Sequence, residues 1–81
     1  MTPATIMGLI RKRLPLPDLA LALDVDATFT ELHLNAVDGW AIAVDIEDEL
    51  GRELDWKRVE HWASVRDVIE TVDALTKEQL K

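Results

Sequence analysis

Apolar side chains return at intervals of three and four residues along most of this chain, which is the period of helices with one buried face. From Thr5 to Leu14 the positions Ile6, Leu9, Ile10 and Leu14 share one side. Arg11, Lys12 and Arg13 fill the last turn, where positive charge suits the helix dipole, and Pro15 and Pro17 stop the element. Asp18 is placed to cap a short continuation over residues 19–23. The connection from Asp24 to Asn35 has no helical repeat. Thr28 and Thr30 suit turns or caps, and Phe29, Leu32 and Leu34 are apolar anchors. Only these side chains are expected to turn inward, because a buried loop would strand its own backbone groups.

The clearest helix runs from about Asn35 to Leu50. Asn35 is a good N-cap and Asp38 places a carboxylate in the first turn. Ile42, Ala43, Ile46 and Leu50 form its apolar stripe, which Val37, Trp40, Ala41 and Val44 widen around a second flank. Asp45, Glu47, Asp48 and Glu49 take much of the rest, and Gly51 ends it. A short helical segment is predicted from Asp55 to His61, with Val59 and Trp62 inward and Trp56 near the surface. Ser64 with Asp67 reads as a capping box for a last helix whose core face is Val65, Val68, Ile69, Val72 and Leu75. Residues 1–4 and 76–81 are expected to fray. No segment alternates as a strand would. The expected fold is all-α: a small four-helix bundle of three longer helices and one short one, with a long loop between the first two.

Composition narrows the function more than the fold. The 81 residues make one domain, and with no cysteine its stability must come mainly from apolar burial. The net charge is −7 and uneven. Residues 1–14 carry only bases, whereas residues 35–55 hold seven acids against Arg52. Such a surface repels phosphate backbones, so nucleic acid is an unsuitable partner, and it favours proteins with basic patches. The same acids also serve simply to keep a small domain dissolved. No apolar run reaches the roughly 18 residues of a membrane span, and no signal-peptide pattern opens the chain. A cytoplasmic monomer is expected.

The stretch Phe29-Thr-Glu31-Leu32-His33-Leu34-Asn35-Ala36-Val37-Asp38 resembles the helix-opening motif of acyl carrier proteins, Phe-x-Glu-Leu-Gly-Leu-Asp-Ser-Leu-Asp. Glu47-Asp48-Glu49-Leu50-Gly51 is similar to the family's Glu-(Asp/Glu)-Glu-Phe-Gly, and Ser64-Val65 to the pair that opens its last helix, with Trp62 where the family has an aliphatic residue. The match runs without a gap from Phe29 to Val72. The resemblance implies a carrier-type bundle and a protein that is not itself an enzyme. It would be handed between acyl transferases, pantetheinyl transferases or synthases of fatty-acid, lipid or polyketide metabolism. It implies docking through an acidic second helix, with Asp38, Asp45, Glu47 and Asp48 meeting basic surfaces and Val37, Trp40 and Val44 giving apolar contact.

In that family the serine hydroxyl carries phosphopantetheine by a phosphodiester, at a helix start whose N–H groups and dipole favour phosphate. Here the position is Ala36, so the arm cannot attach, and phosphopantetheine is expected only with serine at this position. Ser64 is the only serine in the chain and is committed to a cap. Asn35 replaces the usual acid, Ala41 a frequent glutamate, and Lys57-Arg58 break a usually acidic short helix. Two readings follow: a carrier whose serine has been replaced, slightly preferred because the acidic helix and its preceding loop persist, or a natural carrier-like interaction module without cargo. An unrelated small helical regulator is the third.

Other constellations give less. Asp24-Val-Asp26-Ala-Thr28 lacks the glycine and the final glutamate of a calcium loop, with Phe29 and Asn35 in their places. His33 and His61 lie in separate segments without zinc spacing, and Glu47 with Asp48 fits a solvated helix face better than an acid–base pair. No metal site is expected.

Overall fold

A computed structural model describes residues 1–79 of the chain. Four α-helices appear in order, α1 (Pro3–Arg11), α2 (Ala36–Leu50), α3 (Trp56–Val59) and α4 (Val65–Gln79), with a 3₁₀ segment over Pro17–Ala22. Among the described residues there is no strand; an isolated antiparallel bridge joins Thr28 and Ser64. The protein is all-α.

The ends of α1 differ from the pattern-based bounds for local reasons. Thr2 caps it by accepting from the Thr5 N–H, and Pro3 fits the first turn, where its missing donor costs nothing. The helix therefore starts two residues before Thr5. At its far end Arg13 N–H bonds to Ile10 and Leu14 N–H to Arg11, so the last turn tightens before Pro15. The 3₁₀ segment opens on Pro17, and Leu16, without a side-chain bond, stands at the cap expected of Asp18. α4 continues to Gln79, past Thr76, where fraying was expected; residues 80 and 81 lie outside the described residues.

α1 packs against α2 and α4, and the short α3 bridges α2 and α4. Ile6, Ile10, Leu32, Ile42, Ile46, Val65, Val68 and Val72 are fully buried at the centre. Each such side chain contributes about 1.5–3 kcal/mol by leaving water. The stripe residues Ile42, Ala43 and Ile46 are buried as expected, whereas Leu14, Leu50, Trp62 and Leu75 are only partly so. Leu54, just before α3, is buried as well.

The long loop before α2 is hydrogen-bonded within itself and to the start of α4. Thr28 Oγ1 accepts from the Glu31 N–H and donates to the Glu31 carboxylate, and Leu34 N–H donates to Phe29 O at 2.8 Å. Two crossing bonds, Phe29 N–H to Ala63 O and Val65 N–H to Ala27 O, stitch the loop to the start of α4. Ala27, Phe29, Leu32 and Leu34 point into the core beneath it. His33 is held at φ 57°, a left-handed conformation that costs a side-chain-bearing residue more than glycine. His33→Gly is therefore expected to raise stability by up to about 1 kcal/mol in urea unfolding.

Candidate functional site

The N-terminus of α2 is built by a reciprocal cap. Asn35 Oδ1 accepts from Asp38 N–H at 2.9 Å, and Asp38 Oδ2 accepts from Asn35 N–H at 3.0 Å. The arrangement satisfies two backbone donors and fixes the direction in which the loop delivers the helix. Asn35, Ala36 and Val37 are all exposed at this helix start. Asp38, which the sequence offered to a partner, has one oxygen committed to the cap.

Beside Ala36 lies a cleft of about 260 Å³ between the loop, α2 and α3. Phe29, Leu34, Trp40, Val59 and Trp62 give it apolar surface, and Thr30, Asn35 and Glu60 bring polar groups to the same lining. Gly39 sits on the buried side of α2 facing the Phe29 ring; a Cβ there would stand 3.4 Å from the ring's Cε2, so the aromatic edge rests directly against the helix. Trp62 donates its indole N–H to Thr71 Oγ1 at 2.9 Å, which explains how its polar tip is accommodated at the edge of the core.

The acids of α2 have unequal roles. Asp45 is held by the Arg13 guanidinium through two bonds of 3.0 Å, and that hydrogen bond, followed by the carboxylate's charge, keeps Arg13 above its ordinary pKa. Glu47 turns toward the α2–α3 connection. Its Oε2 accepts from both the Leu54 N–H at 2.9 Å and the Trp56 indole N–H at 3.1 Å. Asp48 and Glu49 stay exposed. On the outer face Val37, Trp40 and Val44 are 62%, 49% and 46% exposed, so all three apolar residues singled out by pattern remain accessible.

Ser64 Oγ accepts from Asp67 N–H, and Asp67 Oδ2 accepts from the N–H groups of Ala63 and Ser64. The chain's one serine is thus bound into the cap of α4. Asp24 Oδ1 accepts from the Asp26 N–H, and Asp26 pairs with Arg66, so both carboxylates of the Asp24–Asp26 stretch already have partners in the chain. Among the described residues no helix is long and apolar enough to cross a membrane.

Comparison of the chain with protein-family models, with curated proteins and with solved structures gave no match.

Proposed function

We propose that this protein is a carrier-type docking domain, similar to acyl carrier proteins, whose attachment position is occupied by Ala36. One observation carries the reading: Ala36 is exposed as the first residue of a capped α2, at the lip of a cleft of mixed polar and apolar lining and directly after a long loop anchored to the core. The order of long helix, anchored loop, long helix, short helix and long helix supports a carrier-type four-helix bundle. His33 adds independent support. It falls where the resembling motif has glycine, and its backbone adopts the left-handed conformation that glycine tolerates best.

As it stands the chain offers no hydroxyl for phosphopantetheine, so its role is to present α2 to an enzyme with a basic docking surface. Asp48 and Glu49 are the acids free to meet it, while Asp45 and Glu47 would first have to leave Arg13, Leu54 and Trp56. Val37, Trp40 and Val44 supply the apolar contact. Such docking weakens with added salt, because exposed charges are screened beyond about 8–10 Å.

The test is Ala36→Ser, incubated with coenzyme A and a pantetheinyl transferase and read by intact mass. The variant is expected to gain one phosphopantetheine arm while the parent gains none. A variant with unchanged circular dichroism that stays unmodified across several transferases rules out carriage. That result would leave the second reading, a natural interaction module without cargo. Asn35 favours this alternative, since it removes the negative charge that a modifying enzyme would meet just before the attachment position.

A further inference from the structure

Lys57 and Arg58 depart from the acidic trend of the chain, and docking through α2 makes no use of them. With His61, just past the end of α3, they line a cavity of about 390 Å³ between α3 and the first half of α4. Small-molecule sites span roughly 300–1,000 Å³, so the space is sufficient for a compact ligand. All three side chains are exposed. Among the described residues the ion pairs are Arg13–Asp45 and Arg66–Asp26, so none of the three is held by a carboxylate. The cavity shares only Trp62 with the cleft beside Ala36.

We propose that this cavity binds a small phosphate monoester with a flat aromatic body. Lys57 brings an ammonium, Arg58 a planar fork of N–H groups and His61 an imidazole donor, a set that matches the several oxygens of one phosphate. Trp62 brings the apolar surface. Its indole N–H is already given to Thr71 Oγ1 at 2.9 Å, and Thr71 in turn donates to the Asp67 carbonyl at 2.9 Å. With its polar tip occupied, what the half-buried Trp62 offers a ligand is its ring, which suits an aromatic partner.

Two carboxylates line the same cavity, and they oppose an anion unequally. Asp67 Oδ2 accepts from the N–H groups of Ala63 and Ser64, and the residue stands in the first turn of α4, where the helix dipole offsets its charge. Glu70 is exposed and stands one helical turn from Arg66. The charge left to act on a ligand is that of Lys57 and Arg58 against Glu70. Glu70 therefore limits the affinity, and its removal belongs to the test. The inference uses α3 and α4 and none of the carrier chemistry, so the Ala36→Ser result leaves it untouched.

The test is an NMR titration of the whole isotope-labelled chain with phenyl phosphate and with adenosine monophosphate. Each probe is expected to shift the amide signals of residues 57–62 and the Trp62 indole N–H, saturating at millimolar concentration or below. Inorganic phosphate and adenosine each lack one half of the ligand and should bind about tenfold or more weakly. Lys57→Gln combined with Arg58→Gln should weaken phenyl phosphate by about tenfold with unchanged helicity, and Glu70→Gln should tighten it. No saturable shift with either aromatic phosphate overturns the proposal. So does binding that the double change leaves undiminished, or a half-ligand that binds as tightly as the whole.

Discussion

Replacing Leu32 with alanine is expected to lower the unfolding free energy by about 2–5 kcal/mol, as much as truncating a helix residue of the core. Leu32 belongs to no helix, yet it is fully buried among side chains of the central cluster. Removing its methyl groups forfeits their transfer energy and leaves a void that the bonded loop cannot easily fill. A domain of this length has only about 4–12 kcal/mol in total. The urea midpoint should therefore fall steeply, with an unchanged slope if the transition stays two-state. Thr30→Ala, an exposed change in the same loop, should move stability by no more than about 0.5 kcal/mol. Equal small losses for both variants would mean that the loop is only draped over the core. That outcome would also weaken the cleft beside Ala36, whose walls Phe29 and Leu34 stand on either side of Leu32 in the chain.

The second large effect concerns Glu47. Its single carboxylate oxygen accepts from a backbone N–H and an indole N–H, Leu54 and Trp56, across the turn from α2 to α3. Hydrogen bonds to a charged group are worth about 1.5–3 kcal/mol, and deletion also leaves a part-buried backbone donor without its acceptor. Glu47→Ala is expected to cost about that much in chemical unfolding, with a red shift of Trp56 emission as the indole loses its partner. Glu47→Gln retains an acceptor oxygen and should lose less. Asp48→Ala, one position on and exposed, should leave stability within about 0.5 kcal/mol. If Glu47→Ala is equally silent, the carboxylate is free for a partner after all.

Periodicity was enough to place α2 and α4, because both combine a continuous apolar stripe with a side-chain cap at the start, and α2 closes on a glycine in the left-handed conformation. It was enough to mark Phe29, Leu32 and Leu34 as inward, since apolar residues in a polar loop have few other uses. It also put Val37, Trp40 and Val44 on a second apolar flank of α2, and the fold leaves all three exposed. Local pattern could not reveal where each acid of α2 points. Asp45, Glu47 and Asp48 look equivalent in sequence, and their different roles depend on Arg13 and Trp56, which only the packing of α1 and α3 brings to them. The bridge between the loop and the start of α4 was equally hidden, because it is made by backbone groups far apart in the chain. The chain by itself therefore determined which faces are apolar and where α2 and α4 begin. Tertiary contact decided which charges are spent inside the molecule and which remain for a partner.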